Sequence, residues 1–364
     1  MPACFALLIA VVVLSGCMSS ARCTQGCASL AHDFRAAGFD YYVQGDPALP
    51  RAAHTSFQLA LMGGGGLVDS AYEAIARHAG NGHIVVLRVV AEDSDDHDSG
   101  DYGRLFVTRW GPVASAQTLV FHRRAAAYDP RVLAILRNAD GIFLAGGDQG
   151  NYIRYWKGTP VQDALNAHLR AHRPIGGSSA GLAILGHYSY TSLDGGSMES
   201  KLALRDPFNA GVTLEDDFLH ARYLEHVITD THFSRRARLG RLIVFLARLN
   251  QSHPAGGIFG VGVDERSALL VDAQGIGRLA AGSQGSAWCV LPQQPARVLQ
   301  KGQPLSIAAV RIVRLDQGSS IDLATRGIRA PGAQTLDAIE AGAPTQDSIA
   351  TPLLTRDIVP PDES

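Results

Sequence analysis

Pro174-Ile-Gly-Gly-Ser-Ser-Ala-Gly-Leu-Ala-Ile-Leu185 sets a serine between two glycines, where a short apolar run meets a helix-forming one. The pattern predicts a strand-to-helix turn with Ser179 at its apex, a strained geometry that exposes the hydroxyl. Gly177 and Gly181 leave out the side chains that would clash with such a turn or cover it. The helix behind the turn brings unpaired amides, and the Ala180 N–H is positioned to hold a negative oxygen. Glycine and serine also cluster in ordinary loops, but few loops run straight from an apolar strand into Leu182-Ala-Ile-Leu185.

Working outward, the same strand-then-helix alternation repeats. Phe57 to Met62 reads as a strand, Gly63 to Gly66 as a turn, and Val68 to Arg77 as a helix. His83 to Val90 is a continuous β-branched run, the signature of a strand buried on both faces. Thr118 to Phe121, a helix from Pro130 to Asn138, the strand Gly141 to Ala145 and a helix from Val161 to Ala171 lead into Pro174. The expected fold class is α/β, a mostly parallel sheet flanked by helices on both faces, with its ligand crevice at the carboxyl ends of the strands. Gly146-Gly-Asp-Gln149 lies at such an end, and its backbone amides would supply a second oxyanion donor opposite Ala180. It lacks the Gly-Lys-Ser/Thr ending of a phosphate loop, as does Gly63 to Gly66.

The chain has 364 residues, 46% of them hydrophobic and 18% charged, enough to bury a large core. Its formal net charge is −2, so no global field favours nucleic acid or an anionic membrane as partner. Phe5 to Leu14 is apolar but short for a bilayer span and ends in Leu14-Ser-Gly-Cys17, which resembles a bacterial lipoprotein signal with Cys17 as the lipidated residue. No Lys or Arg precedes the apolar run, and a buried N-terminal strand is the other reading of it. Cys23, Cys27 and Cys289 would remain in the mature chain, with a Cys23–Cys27 pair left open and no metal-site spacing among them. The acidic segment Glu92 to Asp101 reads as a solvated loop.

A serine nucleophile needs a base. Tyr223 to Asp230 reads as a strand running into Thr231-His232-Phe233, so His232 also stands at a strand's carboxyl end. Arg235, Arg236, Arg238 and Arg241 follow it ahead of a helix from Leu239 to Leu249, and a planar guanidinium suits a carboxylate. Gly257 to Glu265 runs from a strand into two acids, and Ala268 to Val271 resumes the strand pattern, which reads as a hairpin. From these residues alone Asp230, Asp264 and Glu265 are each candidates to orient His232.

Taken in order, Gly-Gly-Asp-Gln, Gly-x-Ser-Ala-Gly, Asp-x-His-Phe-x-x-Arg-x-Arg-x-x-Arg-Leu and Gly-x-Asp-Glu resemble serine peptidase family S51, which contains cyanophycinase and aspartyl dipeptidase. The resemblance spans roughly Leu59 to Leu270. It implies a fold like class I glutamine amidotransferases, with Ser179 as nucleophile, His232 as base and Glu265 as third member. It further implies Gly147 and Ala180 as oxyanion amides, and Gln149, Asp230, Thr231, Arg236, Arg238 and Arg241 as substrate-binding or site-supporting residues. Two positions depart from the pattern: Thr231 stands where cyanophycinases carry glutamine, and Leu182 where alanine is usual.

The expected activity is hydrolysis of an aspartyl or β-aspartyl peptide bond through an acyl-enzyme, with no cofactor and no metal. The partner is a peptide bearing an aspartyl carboxylate, and a homodimer is left open. An aspartyl dipeptidase-like exopeptidase and a non-catalytic lipoprotein that binds acidic peptides are the alternatives. The expected organisation is a signal at 1–17, a linker or extension at 18–56, an α/β peptidase domain at 57–291, and a β-rich extension with an irregular tail at 292–364. The protein is expected to be exported and lipid-anchored in the bacterial envelope, or extracellular.

Overall fold

The computed structural model describes residues 34, 36–91, 101–193, 196–330, 334–346, 348 and 351–355. Cys17, Cys23, Cys27 and residues 92–100 of the acidic segment lie outside the described residues.

The chain has an α/β fold. In the larger sheet β2 (Leu59–Met62), β3 (His83–Val89), β4 (Ser115–Phe121), β5 (Gly141–Leu144) and β6 (Ile175–Ser178) pair parallel in the order β4-β3-β5-β6-β2. Beyond this block the sheet is antiparallel. β1 (Phe39–Gly45), from within 18–56, flanks β4, while β11 (Ala268–Val271), β12 (Ile276–Leu279), β16 (Ser320–Asp322) and β17 (Gly327–Arg329) continue from β2. In the second sheet β9 (Val227–Asp230) and β10 (Phe259–Val263) are parallel. β13 (Ala287–Pro292), β15 (Ser306–Leu315), β18 (Gln334–Glu340) and β19 (Ala343–Pro344) then follow antiparallel, with β14 (Ala296–Val298) also on β15. A short ribbon joins β7 (Ser189–Tyr190) to β8 (Leu214–Glu215).

The expectation of a mostly parallel sheet is therefore corrected: among the described residues antiparallel pairings outnumber parallel ones. Connections such as 272–275 and 323–326 are too short for the crossover of about a dozen residues that parallel neighbours require. The hairpin expected from Gly257 to Val271 is also absent. β10 and β11 belong to different sheets, and residues 264–267 carry the chain from one to the other.

Alternation explains the unbroken apolar strands. On β3, Val85 and Leu87 enter one core while Ile84 and Val86 enter another on the opposite face. β2 and β5 do the same, Leu59, Leu61, Ile142 and Leu144 against Ala60, Met62 and Phe143. Helices Asp69–His78 and Asp101–Thr108 cover one face, and Pro130–Asn138 and Pro160–Arg170 the other. Each fully buried aliphatic side chain contributes about 1.5–3 kcal/mol. The first core also takes Val261, Val263, Cys289 and Val313 from the second sheet, so the two sheets share it. Burial pushes the Cys289 thiol up to about 12, which leaves it inert. Helix Leu239–Ser252 closes the far face of the second sheet over Trp288, Val290 and Ile312.

Candidate active site

Ser179 follows β6 directly and adopts φ 53° and ψ −118°, a conformation rarely held by a residue with a Cβ. Close packing enforces it. A Cβ on Gly177 would stand 2.4 Å from the Gly181 carbonyl oxygen, and one on Gly181 would stand 2.1 Å from the Leu144 carbonyl oxygen. The Ser179 N–H is held by the Met62 carbonyl at 3.1 Å. The helix behind the turn is one turn only, Ala180–Ala183, shorter than the apolar run to Leu185 suggested. Gly186 ends that run, where a Cβ would come 2.9 Å from both the Tyr188 and Val227 carbonyl oxygens.

His232 arrives from the second sheet. β9 and β10 are parallel with Asp230 opposite Gly262, so the residues just past their carboxyl ends, His232 and Glu265, emerge side by side. His232 has φ 46°. Phe233 anchors this turn, its ring lying so close over Gly262 that a Cβ there would be 2.4 Å away. The Glu265 Oε1 atom lies 2.7 Å from His232 Nδ1, and His232 Nε2 lies 2.7 Å from Ser179 Oγ. A carboxylate only accepts, so Nδ1 carries the proton and Nε2 is free to accept from the serine hydroxyl. Burial, and then the Arg236 charge, push the His232 imidazole down to about 4 against the opposing pull of Glu265.

The other two candidate carboxylates are engaged elsewhere. Asp264 accepts from the Ser234 amide at 2.9 Å, the Ser286 amide at 3.0 Å and Trp288 Nε1 at 3.2 Å, which fixes the turn after His232. Asp230 is buried and takes two contacts from Arg241, Nε at 2.8 Å and Nη2 at 2.5 Å. Arg241 is 1% exposed, bonded also to Ser197 Oγ at 2.8 Å and packed over the Tyr190 ring. Of the two roles expected for Arg241 and Asp230, substrate binding or site support, their burial and pairing fit support: the pair lies beneath the site.

A cavity of about 360 Å³ opens at Ser179 and His232, lined also by Gly147, Gln149 and Thr231. Arg236 and Arg238 reach it as well. Arg238 is anchored, donating to the Thr231 carbonyl at 2.9 Å and Oγ1 at 3.0 Å and to Ser197 Oγ at 3.1 Å. Burial, with Arg241 beside it, pulls it down to about 9. Arg236 is half-buried, and among the described residues no side-chain hydrogen bond holds it. Gly147 has φ 147° and lies beside the serine turn, where a Cβ on Gly146 would be 3.5 Å from Ser179 Cβ. Among the described residues no group of three or more His, Cys, Asp or Glu side chains is arranged to hold a metal ion.

Gly63 to Gly66, expected as a plain turn, packs against the relay. A Cβ on Gly64 would meet the His232 ring at 2.7 Å, and one on Gly65 the Glu265 carboxyl group at 2.6 Å. The Gly63 carbonyl receives the His232 amide at 2.9 Å, and the Gly64 carbonyl the Arg266 amide at 2.8 Å. Four successive glycines at the carboxyl end of a parallel strand were the available signal of a close approach. Arg154 and Ser197 also line the cavity and carried no such signal, while Asp148 lines it from the Gly146-Gly-Asp-Gln149 motif.

The family model described as peptidase family S51 matches residues 115–277. Cyanophycinase from Synechococcus elongatus is 30% identical over 251 residues, 67% of this chain and 71% of the relative. Cyanophycinase from Nostoc sp. is 28% identical over 234 residues, 63% and 72% respectively. Among solved structures, a peptidase from an acI-B1 actinobacterium superposes with a TM-score of 0.48 at 15% identity, covering 74% of this chain and 98% of its own.

Proposed function

The chain belongs to peptidase family S51, and from that premise we propose that it cleaves aspartyl or β-aspartyl peptide bonds by a Ser179-His232-Glu265 acyl-enzyme mechanism. Ser179 Oγ attacks the amide carbonyl while His232 Nε2 takes its proton, and the same nitrogen then protonates the leaving amine. Water, deprotonated by His232, releases the acyl group. Glu265 holds the Nδ1 tautomer and stabilises the imidazolium. The Gly147 and Ala180 amides stabilise the oxyanion. The observation that carries this reading is the hydrogen-bonded relay, 2.7 Å at each link, aimed at a serine held in a strained turn.

Its pH dependence follows. The neutral imidazole is the working base, and its depressed pKa keeps it neutral well below the ordinary value of about 6.5. Activity is therefore retained as pH falls through 6.5 and lost only as pH approaches about 4. The acid limb of a kcat/KM profile measures this, and Arg236→Gln should move the limb upward by removing a nearby positive charge. A limb at 6.5 or above in the unmodified protein would show that burial and Arg236 do not depress the pKa of the base.

For the substrate, Arg236 supplies an unanchored guanidinium at the cavity, suited to the aspartyl carboxylate. Peptides with Asp at the scissile bond should be favoured over matching Asn peptides by about 2–5 kcal/mol in kcat/KM, and Arg236→Gln should erase the difference. The deciding experiment compares rates on cyanophycin, β-Asp-Arg, α-linked Asp dipeptides and their Asn counterparts. Equal Asp and Asn rates would remove the carboxylate argument. Cleavage of dipeptides but not polymer would favour the exopeptidase reading. Export as a Cys17 lipoprotein remains a proposal resting on Leu14-Ser-Gly-Cys17; palmitate labelling of the full chain decides it.

A further inference from the structure

Three arginines line the cavity; Arg238 is anchored as described above, and Arg236 and Arg154 come to it from two different elements. Arg236 comes from the segment after His232, and Arg154 from helix Gln149–Trp156, which begins right after the Gly147 turn. Among the described residues Arg154 is held by uncharged acceptors. Its Nη1 donates to Asn151 Oδ1 at 3.0 Å and its Nη2 to the Leu193 carbonyl at 2.5 Å, both uncharged acceptors. A guanidinium has five N–H donors, so three remain, in a plane already fixed. Among the described residues no carboxylate lies within ion-pair distance of Arg154. Asp148, the acid nearest in sequence that lines the cavity, accepts from the Gly150 amide at 2.8 Å.

We infer that Arg154 is a specificity-determining residue that binds a second substrate carboxylate, the free C-terminal one of a short peptide whose aspartyl carboxylate is held at Arg236. The inference rests on the aspartyl-peptidase reading. It adds that the preferred substrate carries an anion on each side of the scissile carbonyl. Arg154 and Arg236 line the same cavity as Ser179 from two different elements, so one short substrate can offer a carboxylate to each.

The test separates binding from turnover. In a Ser179→Ala background, calorimetry compares α-linked Asp-Leu with its C-terminal amide, and Asp-Leu with Asn-Leu. The acid should bind about tenfold or more tightly than the amide. Arg154→Gln should bring that ratio close to one while the Asp-over-Asn ratio persists, and Arg154→Lys should restore part of the acid preference. An acid-over-amide ratio unchanged by Arg154→Gln, with folding verified by circular dichroism, overturns the assignment. So does the absence of any acid preference in the parent. Failure of the active chain to hydrolyse any aspartyl peptide would instead overturn the proposed activity, and the acid-over-amide ratio would still decide the role of Arg154.

Discussion

Replacing Ser179 with alanine lowers turnover by about three or more orders of magnitude and leaves the fold intact. The only atom removed is Oγ, whose contact is the 2.7 Å bond to His232 Nε2. Alanine keeps the Cβ, so it meets the same backbone demand at φ 53° that serine already meets, and the packing of Gly177 and Gly181 around the turn is untouched. Steady-state rates on an aspartyl dipeptide, with circular dichroism and thermal melting of the same preparation, check both halves of the statement. Labelling by a fluorophosphonate should disappear with the hydroxyl. Near-normal turnover in a folded variant would move the nucleophile elsewhere.

The serine turn was legible because it depends on local rules: an apolar strand, two glycines and a helix start are all contiguous in sequence. The parallel block was legible for the same reason, since each strand-helix repeat is written in its own residues. What escaped was whatever depends on which strand lies beside which. Residues 257–271 have the pattern of a hairpin, and alternation alone does not reveal that the chain changes sheets at 264–267. That same crossing carries Glu265 to His232 and leaves Asp264 bonded to Ser234, Ser286 and Trp288, a choice between adjacent acids that depends on the β9–β10 register. The arginines divide likewise: four cations within seven residues look alike in sequence, yet the turn after His232 sends Arg236 to the cavity and Arg241 beneath it.

Arg241→Ala should destabilise the protein by about 3 kcal/mol, the lower end of the range for removing one partner of a buried ion pair, because it leaves a buried charge with only the longer 3.5 Å contact to Arg238 Nη1. Asp230, 2% exposed, would be that charge. It closes β9, accepts the Thr231 amide at 2.8 Å, and stands two residues before the base, so its displacement disturbs His232 as well. Urea denaturation without substrate gives the stability change. An unchanged midpoint with a raised KM would restore Arg241 as a substrate contact and overturn the structural assignment. The double variant Asp230→Leu with Arg241→Met sharpens the test, because exchanging both charges for apolar groups of similar volume removes the under-paired carboxylate, at the cost of the 3.5 Å contact that Asp230 gives Arg238. It should therefore cost less than the two single changes added together, and the difference reports the coupling between the two side chains. Activity need not recover with stability, since the Asp230 contact to the Thr231 amide is lost in the double variant too. Recovery of the unfolding midpoint without recovery of kcat would then mark the pair as the support on which the catalytic turn is built.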